Sequence, residues 1–272
     1  MQWRSGVRVV AGVVGFAGLT VLIWRLLRPA TDPYSALGMA AIHAGRFVTG
    51  ADDLSVVVYT DHALAGDMMA QGSLEPFALQ PREVQMTAFA IDRTEVTVDA
   101  YARCVKAGAC SPAGAGFRCS AGDRLSSRYA LPITCVDYSQ AERFCEWTGK
   151  RLPTELEWEY AARGEPGRRY PWGDAQVNAR LMCSRQSEPC AVASRPAGAT
   201  PEGIFDLAGN VWEWTQSDNC GREPANCHNG FKVVKGGPLT YQHDEDEQAR
   251  GAFRQSVPVG QSDWDLGFRC VR

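Results

Sequence analysis

His243, Asp244 and Asp246 fall close together in the stretch GGPLTYQHDEDEQARGAFRQ, Gly236 to Gln255, and that set of side chains can do chemistry. An imidazole beside carboxylates offers borderline and hard ligands at short spacing, a combination that suits Mn²⁺, Fe²⁺ or Ca²⁺. A solvated acidic loop accounts for the same letters with fewer demands. Tyr241 adds a phenol, and Arg250 and Arg254 add guanidinium forks that can hold a carboxylate-bearing group in a groove. What the stretch lacks is cysteine, in a chain that has 10.

A second candidate lies in DLAGNVWE, where the side-chain oxygens of Asp206 and Glu213 bracket a glycine turn whose carbonyls can point inward. Hard oxygen ligands of that kind suit Ca²⁺, while a simple turn explains the letters without an ion. In GKRLPTELEWEYAARG, Arg151 with Glu155, Glu157 and Glu159 has the look of an acid/base set. Those glutamates read as alternating around a helix, so a capped helix with an anchoring arginine is the expectation. Trp147, Trp158, Trp172, Trp212 and Trp214 are expected in the core and not on a carbohydrate-stacking platform.

Every cysteine lies at or beyond Cys104, and the count is even. Cys104 with Cys110, Cys183 with Cys190, and Cys220 with Cys227 are close enough in sequence to close small rings. There is no C-x-x-C and there are only 4 histidines, so disulfides are favoured over structural zinc.

The elements that must position these residues follow from pattern. Val9 to Trp24, VVAGVVGFAGLTVLIW, is uncharged and flanked by Arg4, Arg8, Arg25 and Arg28. At about 1.5 Å per residue it spans roughly 24 Å, a length that suits a signal peptide or a signal anchor. RLLRPATD has bulky residues where a signal peptidase needs small ones, which favours an uncleaved anchor. PATDPYSA then reads as a linker. AGRFVTG and TAFAIDRTEVT alternate like short strands. A helix is predicted after Thr97, ending near Gly108; two more are predicted from capping boxes, Ser139 with Glu142 and Thr154 with Glu157, ending at Gly149 and Gly164. Beyond Gly164 no long helix or strand is predicted. With 45% apolar residues, 22% charged residues and a net charge of −3, the chain is a globular protein without the basic footprint of a nucleic-acid binder.

Taken in order, AGRFVTG, FAIDRTEVTVDAY, PITCVDYSQAERFCEWTGKRLPTELEWEYAARG, YPWGD, GIFDLAGNVWEWTQS, VVKGG and LGFRC resemble the sulfatase-modifying-factor family, whose founding members are the formylglycine-generating enzymes. The resemblance runs from about Gly38 to Arg272. It implies an irregular α+β fold of low regular content, related to C-type lectins, in an exported protein. It also implies a calcium site with Asp206 and Glu213 as side-chain ligands and Gly209 and Val211 as carbonyl ligands. Asn178 matches one ligand of a second family calcium site, whose carboxylate has no counterpart between Leu181 and Pro196. Cys145 and Cys270 match a family disulfide, and the expected set also holds Cys119–Cys135.

In the formylglycine-generating enzymes, two thiolates hold Cu(I) while O₂ oxidises a substrate cysteine within C-x-P-x-R. The register from Gly236 to the GFRC ending runs without gaps, and it places Tyr241 and Asp246 at the two thiolate positions. A phenol and a carboxylate cannot reproduce a soft two-thiolate site, so copper is not expected, whereas Ca²⁺ is. Pro238 replaces the serine that usually follows the glycine pair and stiffens the loop entrance.

The expected organisation is a signal anchor at 1–28, a linker at 29–37 and one disulfide-stapled domain at 38–272. The expected protein is a membrane-anchored domain outside the cytoplasm that has lost cysteine oxidation and serves as a calcium-stabilised binding or structural module, with a protein or peptide ligand in its groove. The alternative is an oxidoreductase of the same family that uses Tyr241, His243 and Asp246 with another metal or substrate.

Overall fold

The computed structural model describes residues 37–51, 78–114, 130–184, 186–220, 228–237 and 245–272. The expected anchor, Tyr241, His243, Asp244, Cys119 and Cys227 lie outside them. Among the described residues no helix is long and apolar enough to cross a membrane.

Two antiparallel pairs form the N-terminal part: β1 (Met39–Ile42) with β4 (Phe89–Asp92), and β2 (Gly45–Thr49) with β3 (Arg82–Met86). The C-terminus returns to this part. Ala90 and Arg272 exchange both backbone hydrogen bonds, Asp92 N donates to Cys270 O, and Arg151 and Val271 also bond reciprocally. The chain end thereby seals the edge of β4 and leaves its polar groups paired.

Three helices follow the sequence signals. α1 (Val98–Lys106) starts at Thr97, whose hydroxyl accepts from Ala100 N, and Gly108 follows it at φ 71°. α3 (Glu155–Arg163) carries the Thr154/Glu157 capping box. Gly164 ends it at φ 60° and ψ −175°, a positive φ outside the left-handed helical well. α2 (Tyr138–Trp147) departs from expectation at its start. Its capping box is Asp137/Gln140, and Ser139 sits inside the first turn with its hydroxyl donating to Asp137 Oδ1 at 2.8 Å. A carboxylate is the stronger acceptor for the free N–H groups, so it takes the cap.

The second departure is a sheet. β5 (Trp212–Asn219) and β6 (His228–Lys235) pair antiparallel, with β7 (Gln255–Pro258) on the far side of β6 and β8 (Leu266–Gly267) parallel to β5. β5 has no clean alternation because its first four residues are all buried, so its letters lack the period of two that marks a half-buried strand. At Gly267 a Cβ would come within 2.4 Å of the Ile133 carbonyl oxygen, so only glycine allows β8 this approach.

The main core gathers Tyr101, Phe144, Trp212, Trp214, Phe253 and Phe268 between α1, α2 and the sheet. A second cluster packs Trp158 and Tyr160 of α3 against Phe47, Ile91 and Val271. Trp158 and Trp214 are fully buried as expected, but Trp147 is 41% exposed at the end of α2. The disulfides Cys104–Cys110, Cys145–Cys270 and Cys183–Cys190 are formed. Cys135 and Cys220 are disulfide-bonded as well.

Candidate functional site

The stretch from Gly236 onward leaves β6 through two glycines at φ 101° and 85°, conformations closed to other residues without strain. Glu159 of α3 holds the residue just before them. Its Oε2 lies 3.5 Å from Lys235 Nζ, and its Oε1 accepts from Arg163 Nη1 at 2.6 Å and from Gly50 N at 2.8 Å. Lys235 is fully buried, with Nζ 5.6 Å from the Trp158 ring centre. Burial pulls the Lys235 pKa below the usual lysine value, against the pull of Glu159 and Glu155. Glu155, one turn earlier, holds the other end of the stretch: Arg254 Nε and Nη2 donate to its two oxygens at 2.7 and 3.3 Å.

This arrangement corrects two expectations. Glu155 and Glu159 share a helix face, because residues four apart are stacked on an α-helix; only Glu157 points elsewhere, to Arg151 and the capping box. Arg254 is not a groove residue. It is 3% exposed and committed to Glu155.

Between those ends, α4 (Glu245–Gln248) is a single short turn with Asp246 exposed. Ala249 docks it on Tyr170, Met182 and Ala208, and Gly251 N donates to Arg169 O. Tyr170 stacks on Trp172 with ring centres 5.2 Å apart. Burial raises the Tyr170 pKa; Asp246 adds to the rise, while Arg169 and Arg250 oppose it. Arg250 and Asp246 therefore share one neighbourhood with Tyr170. The sequence showed YPWGD as a motif but did not reveal this proximity.

The Asp206–Glu213 turn is buried, with Asp206 and Asn210 both at positive φ, 59° and 63°. Glu213 receives Arg269 Nε and Nη2 at 2.7 Å each and Trp158 Nε1 at 2.8 Å. Asp206 Oδ2 accepts from Ala193 N at 2.6 Å. Asn210 donates to Glu95 Oε1 at 2.8 Å, while its own Oδ1 accepts from Cys190 N and its backbone N donates to Cys183 O. Glu95, missed in the sequence because it stands alone in FAIDRTEVT, is 1% exposed and its Oε2 has no hydrogen-bond partner. Burial raises the pKa of both Glu95 and Asp206, and for Glu95 the neighbouring Asp206 adds to the rise. Burial also works against the charge of Arg269, but Glu213, Glu95 and Asp206 outweigh it and hold the guanidinium protonated.

Three buried carboxyl groups thus crowd around one guanidinium, and a divalent cation would relieve the crowding that raises Glu95 and Asp206. Gly236 keeps the approach to the Val211 carbonyl oxygen open, where a Cβ would stand 3.2 Å away. The expected calcium ligands Asp206, Gly209, Val211 and Glu213 lie together in this turn, with both Glu213 oxygens engaged by Arg269 and Trp158 and Asp206 Oδ2 by Ala193 N. Among the described residues no three His, Cys, Asp or Glu side chains converge as a metal-binding group, and the expected set contains only two such side chains. Asn178 is exposed and engaged locally, accepting from Arg180 N and donating to Gln176 O.

A family model, the sulfatase-modifying factor enzyme 1-like domain, matches residues 26–272. The chain is 35% identical over 176 residues to hercynine oxygenase of Mycolicibacterium thermoresistibile, covering 53% of this chain and 40% of that protein. It is 35% identical over 165 residues to the inactive C-alpha-formylglycine-generating enzyme 2 of Mus musculus, covering 55% and 52%. With the formylglycine-generating enzyme of Streptomyces coelicolor it shares 32% over 183 residues, 58% of each chain. The matched region therefore spans about 40 to 58% of these relatives' lengths. In fold the chain is similar to PvdO from Pseudomonas aeruginosa, with a TM-score of 0.61 at 21% identity over 86% of this chain and 93% of that one. Treponema denticola variable protein 1 superposes with the same TM-score at 19% identity, over 86% and 94%.

Proposed function

Because the chain belongs to the sulfatase-modifying factor enzyme 1-like family, we propose that it is a member without copper-dependent cysteine oxidation, acting as a calcium-stabilised binding or structural module held outside the cytoplasm by its N-terminal segment. The observation that carries this reading is the pair Tyr241 and Asp246 at the positions where the enzymes place thiolates. No nearby sulfur replaces them: the stretch itself has no cysteine, and among the described residues no cysteine is free. A carboxylate and a phenol do not stabilise Cu(I), which prefers soft ligands. The 35% match to a relative named as an inactive formylglycine-generating enzyme supports the same reading.

When bound, Ca²⁺ would offset the carboxylate excess around Arg269 and tie backbone carbonyls to side chains, with Asp206, Gly209, Val211 and Glu213 holding it. Export and anchoring are supported by the arginine-flanked apolar run Val9–Trp24 and by the disulfides, which persist in oxidising compartments. The surface offered to a protein or peptide ligand centres on Asp246 and Arg250 beside Tyr170.

The second reading is an oxidoreductase that uses Tyr241, His243 and Asp246 with another metal, and the match to a hercynine oxygenase favours it. Metal analysis of the purified full chain separates the two. Calcium without stoichiometric transition metal is the expected result; stoichiometric iron or manganese would favour the oxidoreductase, and stoichiometric copper would overturn both.

A further inference from the structure

We propose that the Cys183–Cys190 disulfide is a redox-operated clamp on the Asp206–Glu213 turn: a dithiol reductant that opens it releases the turn, and reoxidation restores it. The disulfide closes a ring of sequence separation 7, and that ring and its immediate continuation supply three of the hydrogen bonds that hold the turn, alongside Asn210 Nδ2 to Glu95 Oε1 and Gly209 N to Gly236 O. Cys190 N donates to Asn210 Oδ1 at 2.9 Å, Cys183 O accepts from Asn210 N at 2.9 Å, and Ala193 N donates to Asp206 Oδ2 at 2.6 Å. Asn210 and Asp206 are buried, and both hold left-handed backbone conformations that cost free energy in a non-glycine residue. Surrounding contacts must maintain such conformations; two of these three bonds come from the disulfide-closed ring and the third, from Ala193 N, from the segment that follows it.

The disulfide also differs in access from the other two that are fully described. Cys104 and Cys110 are 0% and 8% exposed, and Cys145 and Cys270 are both 0%. Cys183 is buried, but Cys190 is only half-buried, and Arg195 Nη2 stands 3.9 Å from its Sγ. A guanidinium beside Cys190 Sγ favours its thiolate and so eases the step in which Cys190 leaves the mixed disulfide.

The chemistry is a two-electron exchange. A thiolate of the reductant attacks Cys190 Sγ, the Cys183–Cys190 bond breaks, and the electron pair leaves on Cys183 Sγ, which takes up a proton. The second thiolate of the reductant then attacks its own sulfur in the mixed disulfide. Cys190 leaves as a thiolate beside Arg195, and the reductant departs oxidised to its disulfide. Nothing in this exchange depends on a metal or on the activity of the Gly236–Gln255 stretch.

The test treats the full chain with increasing concentrations of a dithiol. Differential alkylation identifies which cysteines open, and hydrogen–deuterium exchange is recorded on each sample. The expected result is that Cys183 and Cys190 are alkylated first, and that amides from Asp206 to Glu213 then exchange about tenfold faster while those of α1 and α3 are unchanged. The paired variant Cys183→Ser with Cys190→Ser should show the same local pattern without any reductant. Opening no earlier than Cys104–Cys110, unchanged exchange at Asp206–Glu213 after opening, or faster exchange across the whole domain would each overturn the clamp.

Discussion

Glu155 and Glu159, one turn apart on α3, hold opposite ends of the stretch that resembles the enzymes' active-site segment, Glu159 through Lys235 and Glu155 through Arg254. One rigid helix face thus fixes where that segment leaves the sheet and where it returns. Replacing Glu155 by Ala strands a guanidinium that is 3% exposed, and should lower unfolding free energy by about 3–5 kcal/mol. Glu159→Ala should cost at least as much, since it strands the fully buried Lys235 and removes a carboxylate partner of Arg163. The control is Glu146→Ala, whose pair with Arg143 spans 3.6 Å at the surface and should matter by less than about 0.5 kcal/mol. Urea unfolding of the three variants measures this, and equal losses would contradict the anchoring of the stretch by Glu155 and Glu159.

Glu157 gives a pH signature. Burial alone would raise its pKa, but the Arg151 fork and the Thr154 backbone N–H and hydroxyl outweigh burial and hold it below the ordinary value of 4.5. A carboxylate with a depressed folded pKa adds stability that is complete above its unfolded pKa and disappears as pH falls through the folded one. Stability should therefore fall below about pH 4.5 in part because of this group. Glu157→Gln should lose about 1–2 kcal/mol at pH 7 and show a shallower loss on acidification. An unchanged acid limb in thermal melts from pH 7 to pH 3 would exclude the assignment.

Calcium should stabilise the turn by mass action. At free Ca²⁺ a hundredfold above Kd the gain is about 2.7 kcal/mol, visible as several degrees in Tm, and a chelator should remove it. Asp206→Asn should abolish the calcium response while leaving the chelated protein's Tm nearly unchanged or higher, because it removes one of three buried carboxylates. A Tm indifferent to Ca²⁺ and chelator in the parent protein would contradict the calcium reading.

Cys145–Cys270 closes a sequence separation of 125 and ties α2 to the chain end that seals β4. Replacing both by alanine should cost about 4–5 kcal/mol in the chain-entropy picture. The Cys104–Cys110 pair, with a separation of 6, should cost less. A calorimetric comparison of the two double variants checks the order, and a reversed order would mean that strain or packing, not loop closure, dominates.

Two of the three helix caps, the strand starts and the short rings Cys104–Cys110 and Cys183–Cys190 were legible because each depends on neighbours in sequence, whereas Cys145–Cys270, 125 residues apart, came only with the family resemblance. Thr97 and Thr154 cap where their spacing says they should. Ser139 lost its cap to Asp137 because two acceptors two residues apart competed for the same N–H groups. The long strand β5 was not legible, since burial of its first four residues on both faces erases alternation. The pairings of Glu155 with Arg254 and Glu95 with Asn210 span the whole domain, and no local pattern encodes them. Arg254 was legible as a charge but not as a spent one.

The central claim is that Tyr241 and Asp246 have ended copper-dependent cysteine oxidation in this chain. It is tested by incubating the purified protein, loaded with Cu(I), with a C-x-P-x-R peptide under O₂ and following aldehyde formation by mass spectrometry. No copper-dependent aldehyde should form, and Tyr241→Cys with Asp246→Cys should gain Cu(I) binding. Copper-dependent conversion of the peptide by the unaltered protein would contradict the account.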